Sequence, residues 1–251
     1  MAPTTETGTL SPRTDGGGAT TSPRPYDIEI DPAIVGSWHT PLKVLSAPIR
    51  KRWLDISVYD RDNVPAEGPA IIAANHLSFI DSPLLMTAFD RPVTFLGKAE
   101  YMAHRVTRYM FPRAGMIPVD RTGRGIAKTL GLAQEILENG GLMGIFPEGS
   151  RSRDGNLHRG HHGAAHLALK TGAPIIPVGI VGSNHAMPVD SKFPVRNGRI
   201  LMRIGAPIGL GPYLSEPCTA ATKQALTDEV MREIAELSGQ AAVEDFLPIP
   251  S

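Results

Sequence analysis

The chain has 251 residues, 41% of them apolar, which suffices for one well-buried domain with extensions. Lysine plus arginine and aspartate plus glutamate number 25 each, so the overall charge carries no electrostatic footprint for a nucleic-acid partner. A single cysteine, Cys218, excludes an internal disulfide framework and fits a reducing compartment, and no apolar run approaches the roughly 20 residues of a membrane-spanning helix.

Residues 1–25 are rich in Thr, Ser, Gly and Pro, lack an apolar signal core and read as a disordered tail. Residues 26–53 change character: Trp38, Leu42, Val44, Leu45 and Ile49 lead into Arg50-Lys51-Arg52. Two short amphipathic helices fit this stretch, too short to stand alone, and they dock either on the core or on an anionic membrane surface. From residue 54 to 240 short β-like runs alternate with helical ones. The predicted strands are 55–59, 70–74, 93–96, 115–119, 142–146, 175–180 and 200–204. The predicted helices are 83–89, 101–110, 124–139, 162–171 and 220–237, the third stopped by Asn139-Gly140-Gly141. This order predicts an α/β fold: a single domain with a mostly parallel central sheet flanked by helices, followed by a C-terminal tail over 241–251. Ligands of such sheets bind beyond the carboxyl ends of the strands.

Two motifs fall at those ends. Asn75-His76-Leu77-Ser78-Phe79-Ile80-Asp81 follows the strand at 70–74. Five positions along a continuous helix is a rotation of about 500°, which leaves His76 and Asp81 about 140° apart and unable to pair. Ser82-Pro83 looks like a helix cap with proline at the first helical position, so His76 is expected on the turn and Asp81 at the helix start, where the carboxylate can fold back onto the ring. A carboxylate on one imidazole nitrogen fixes the tautomer and frees the other nitrogen as a general base. The second motif, Phe146-Pro147-Glu148-Gly149-Ser150-Arg151-Ser152, ends the strand at 142–146. Gly149 permits close approach of backbone to a ligand, Arg151 offers a fork of donors to a phosphate, and Glu148 suits either a ligand hydroxyl or an arginine. A third strand ends in Asp120-Arg121, a further cation at the same edge. His158, His161, His162 and His166 cluster within nine positions, yet no acidic HExxH-type partner accompanies them, and a metal site is not expected.

In content, order and spacing these motifs, with Ala173-Pro174-Ile175-Ile176-Pro177-Val178 as a fourth, resemble the glycerolipid acyltransferase superfamily, the PlsC-like enzymes, over roughly residues 64–181. The resemblance implies that His76 activates an acceptor hydroxyl and that Asp81 orients it. It assigns the acceptor phosphate to Arg121, Glu148, Gly149 and Arg151, counts Asn75 and Ser150 among the motif residues, and gives Pro177 a loose role in shaping the substrate site. Pro118 departs from the aromatic or aliphatic residue more usual in the second motif, and bears on strand pairing because proline donates no hydrogen bond. The implied activity is transfer of a fatty acyl group from acyl-CoA or acyl carrier protein to lysophosphatidic acid (1-acyl-glycerol-3-phosphate), giving phosphatidic acid. Glycerol-3-phosphate, another lysophospholipid or a glycolipid is the alternative acceptor. No cofactor, metal or nucleic acid is implied, and the expected location is peripheral, on the cytoplasmic face of the cell membrane. A non-catalytic lipid- or carrier-binding protein ranks lower because base and acid are both present, and a serine hydrolase would need a Gly-x-Ser-x-Gly elbow that the chain lacks.

Overall fold

A computed structural model describes residues 30–98, 102, 104–119, 123–191, 193–215 and 217–247. The expected tail over residues 1–25 and the cation Arg121 lie outside the described residues. The strands are β1 (Leu54–Tyr59), β2 (Ala70–Ala74), β3 (Val93–Lys98), β4 (Met116–Val119), β5 (Leu142–Ile145), β6 (Ile175–Val181) and β7 (Gly198–Ile204). The helices are α1 (His39–Trp53), α2 (Asp81–Ala88), α3 (Arg105–Ala114), α4 (Gly123–Glu138), α5 (Gly163–Thr171), α6 (Ser183–Ala186), α7 (Gly211–Leu214) and α8 (Ala220–Ser238). One sheet forms in the order β1-β7-β6-β2-β5-β3-β4. Every ladder is parallel except β6 with β7, which is antiparallel, so β7 and its parallel partner β1 run against the other five strands.

Side chains alternate faces along a strand, and β2 shows how one strand serves two cores. Ala70, Ile72 and Ala74 join Leu84 and Leu85 of α2 with Val178 and Ile180 on one face. Ile71 and Ala73 join Ala133 and Leu137 of α4, Leu167 of α5 and Leu226, Val230 and Ile234 of α8 on the other. Burial on both faces explains why β2 and β5 read as unbroken apolar runs. The missing side chain of Gly179 lets α8 lie directly on β6: a Cβ there would stand 2.4 Å from the Leu237 carbonyl carbon.

Prolines account for most departures from the predicted elements. The expected pair of short helices before residue 54 is a 3-10 turn, Pro32–Ile34, and the single 15-residue α1. Pro41 sits in its first turn, where an N–H has no intrahelical partner, and Pro48 is carried inside at the loss of one hydrogen bond. Helix α2 starts at Asp81 rather than Pro83, which again falls in the first turn. Helix α3 lies four residues later than predicted, between the cap at His104 and the left-handed Gly115. Pro118 is accommodated because β4 is an edge strand, paired only with β3.

Candidate active site

The strands β2, β5 and β6 end side by side, and the two principal motifs fold over those ends. Asn75, fully buried, caps β2: its Nδ2 donates to the Ile180 carbonyl at 2.8 Å, and its Oδ1 accepts from the Ile180 N–H at 2.7 Å. The next residue, His76, is therefore fixed to the neighbouring strand through its predecessor. Residues 77–80 turn back so that Asp81, the first residue of α2 and fully buried, meets the His76 ring, with Nδ1 to Oδ2 at 2.9 Å. The same oxygen accepts the Leu77 and Ser78 N–H groups at 2.8 and 2.7 Å. Three donors thus converge on one carboxylate oxygen, which shapes the turn and seats the imidazole in one act. The ring also stacks on Phe146 at 3.9 Å between centroids and 10° between planes. Only 16% of the His76 side chain is exposed, and its Nε2 carries no hydrogen bond among the described residues. A seated imidazole with one open nitrogen is what a general base requires.

Glu148 binds the backbone of His76 and of His158. It is 1% exposed, and its two oxygens accept the His76 and His158 backbone N–H groups at 2.9 and 3.1 Å. The carboxylate grips the backbone of the base from below the site. Burial pushes its pKa up to about 7, against the two backbone donors, which pull it down. The Ser152 N–H donates to the His76 carbonyl at 2.8 Å, so the second motif holds the first at both ends of one residue. Gly149 takes φ +74°, and a Cβ there would stand 3.1 Å from the His161 ring. Arg151 and Ser150 are half-buried beside it, and Arg151 pairs with no carboxylate among the described residues. Pro177 lies inside β6, in register with Ala73 and buried. Its lack of an N–H falls where the β6–β7 ladder stops, and its carbonyl accepts from Gly205 at 2.8 Å.

The histidine cluster disperses. His158 Nε2 meets Asp154 Oδ1 at 3.0 Å, the His162 ring faces Thr227 Oγ1 at 3.3 Å, and His161 stacks on Phe246. Burial, with Lys223 and Lys170 nearby, pushes the His166 pKa down. No three His, Cys, Asp or Glu side chains among the described residues converge as metal ligands. His158, with Asn156 and Ser152, holds Asp154 well below the usual carboxylate range and closes the loop over 152–158. The sequence reading gave no part to Phe146 as a platform or to Asp154; the four-residue spacing of Asp154 and His158 was the available signal for the second.

A mostly parallel α/β sheet carries a histidine–carboxylate pair at its strand ends, and the chain belongs to the acyltransferase family, whose model matches residues 55–181, just over half of its length. Among its relatives, a chloroplastic 1-acyl-sn-glycerol-3-phosphate acyltransferase of Arabidopsis thaliana is 29% identical over 64% of this chain and 48% of its own. One from Brassica napus is 29% identical over 75% and 54%, and the chain spans about half the length of these chloroplast relatives. The 1-acyl-sn-glycerol-3-phosphate acyltransferase of Bacillus subtilis is 26% identical over 74% of this chain and 89% of its own. The crystal structure of the 1-acyl-sn-glycerophosphate acyltransferase PlsC from Thermotoga maritima shares the fold, with a TM-score of 0.63 at 23% identity over 79% of each chain.

Proposed function

We propose that this protein transfers a fatty acyl group from a thioester, acyl-CoA or acyl carrier protein, to the free hydroxyl of 1-acyl-glycerol-3-phosphate, giving phosphatidic acid. The observation that carries the reading is the His76–Asp81 pair, its Nε2 without a hydrogen bond among the described residues, joined through Ser152 to the loop bearing Arg151, which pairs with no carboxylate among those residues. His76 Nε2 takes the hydroxyl proton as the oxygen attacks the thioester carbonyl, and Asp81 stabilises the imidazolium that forms. Collapse of the tetrahedral adduct breaks the carbon–sulfur bond, and the imidazolium returns the proton to the departing thiolate. The transfer is direct, with no acyl-enzyme stage and no cofactor. Arg151, joined by Arg121, binds the acceptor phosphate, because a guanidinium fork matches its oxygens. Glu148 acts by holding the His76 backbone.

The substrates are amphiphiles, and two helices offer a surface for the bilayer that contains them. The outer face of α1 bears Val44 and Leu45, 63% and 71% exposed, one turn and more before the exposed basic pair Lys51 and Arg52. Helix α3 adds exposed Val106, Tyr109 and Met110, and Tyr109 meets Trp38 edge-on at 5.8 Å. Apolar side chains bordered by cations suit an anionic membrane surface. No helix among the described residues is long and apolar enough to cross a membrane. This surface brings the protein to the lipid as a peripheral enzyme, on the cytoplasmic face.

The test is release of free thiol from palmitoyl-CoA by purified protein, with and without 1-acyl-glycerol-3-phosphate, for wild type and His76→Ala. Acceptor-dependent release that vanishes in the variant is expected. Release that survives in the variant would sink the mechanism, and dependence on a different acceptor would reassign the substrate.

A further inference from the structure

Residues 241–245, which follow α8, pair with the loop after β5. Leu157 donates its N–H to the Ala241 carbonyl and accepts from Val243 N–H, both at 2.9 Å, in a short parallel bridge with Ala242. Arg159 N–H continues the pairing onto the Asp245 carbonyl at 3.0 Å. Phe246 then covers the His161 ring at 5.1 Å, and that ring is the surface against which Gly149 is packed. Gln240, at the root of the segment, reaches in two directions. Its Oε1 accepts from Asn75 Nδ2 at 2.6 Å, and its Nε2 donates to the Gly155 carbonyl at 2.8 Å. Asn75 directly follows β2 and immediately precedes His76, and Gly155 lies in the loop between Arg151 and His158.

We infer that residues 240–246, outside the region matched to the family, form a strap completing the active site, in which Gln240 is a positioning residue that ties the strand end bearing His76 to the loop bearing Glu148 and Arg151. Beside the His76–Phe146 stack, three hydrogen-bonded links among the described residues join the two halves of the site. Two are made by the second motif itself, Glu148 to the His76 N–H and Ser152 N–H to the His76 carbonyl. The third is one side-chain amide whose oxygen accepts from Asn75 Nδ2 while its nitrogen donates to the Gly155 carbonyl. The link matters because a general base and a phosphate-binding cation must hold a fixed separation for the acceptor hydroxyl to meet Nε2, and a displacement of 1 Å is costly. The bonds beyond Gln240 set the loop from its outer side, through Leu157, Arg159 and His161.

Hydrogen exchange on the full-length protein, read by mass spectrometry for wild type, Gln240→Ala and Phe246→Ala, tests the strap without reference to activity. Exchange over residues 75–78 and 148–159 should quicken about tenfold in Gln240→Ala, which loses two part-buried hydrogen bonds, with β7 unchanged. Phe246→Ala, at the half-exposed end, should quicken 148–161 alone. The kinetic arm rests on the acyl-transfer reading: with palmitoyl-CoA and 1-acyl-glycerol-3-phosphate, Gln240→Ala should raise the acceptor KM and lower kcat, each about fivefold, while the donor KM holds. A fall in active fraction alone would leave both KM values unchanged, and that result, or unaltered exchange in Gln240→Ala, overturns the inference. Wild-type protein inert toward this substrate pair would end the acyl-transfer reading, and the exchange measurement would still decide the strap.

Discussion

Asp81 accepts three hydrogen bonds on one oxygen, and two of them come from the backbone of the turn that carries His76. Replacing it with asparagine keeps a carbonyl oxygen for the turn but offers the imidazole a neutral amide, which neither fixes the productive tautomer nor stabilises the imidazolium. Asp81→Asn is expected to lower kcat about 10²- to 10⁴-fold with the acceptor KM within about threefold of wild type. Steady-state kinetics decide the point, and a kcat within tenfold of wild type would remove Asp81 from the catalytic pair. This pair was legible in the sequence because a five-residue turn brings it together with no help from distant chain. Glu148 was only half legible. Its presence beyond a strand end was plain, but the two N–H groups it holds belong to residues 72 and 10 positions away, and such partners follow from the packing of loops. Gln240, 165 positions from Asn75, left no local signal at all.

At the scale of elements, apolar runs bounded by turn residues gave every strand, and β2 matched at both ends, because a strand buried on both faces has sharp compositional limits. Run composition says nothing about direction, so the reversal of β7 against β6 emerges only in the assembled sheet. The N-terminal helix was read as two because Pro41 and Pro48 look like breaks, whereas packing of α1 against α2 and β1 carries the helix through the second. That continuity leaves Val44 and Leu45 together on the outer face, where they support no core. Changing both to aspartate should shift folding stability by no more than about 0.5 kcal/mol, as for other exposed sites. Each side chain buried in lipid contributes about 1.5–3 kcal/mol, so the double variant should bind vesicles of anionic phospholipid about a hundredfold or more weakly. Vesicle co-sedimentation measures this, and unchanged binding would move the membrane contact elsewhere on the molecule.

For the molecule as a whole, a carboxyl group buried between two motifs couples stability to pH. Glu148 titrates at about 7 in the folded chain against an ordinary value of 4.5. Between those values the folded state holds a proton that the unfolded chain has released, so stability falls as pH rises across the interval. The contribution is fully present below 4.5 and gone above about 7, and the separation corresponds to about 3 kcal/mol. Asp154 works with the opposite sign, since its folded value is depressed; its stabilisation is complete above the ordinary carboxylate range and is lost only at lower pH. Its exposure keeps that contribution small, and it adds no slope between 4.5 and 7. Glu148→Gln removes the titrating group while keeping an acceptor for one of the two backbone donors, so it is less stable than wild type at pH 4.5. Groups remote from Glu148 titrate alike in both proteins and cancel in the comparison. Urea unfolding at a series of pH values should therefore show wild type losing about 3 kcal/mol relative to Glu148→Gln between pH 4.5 and 7.5. A stability difference constant over that range would mean that the carboxylate is ionised throughout, held by its two backbone donors strongly enough to offset its burial.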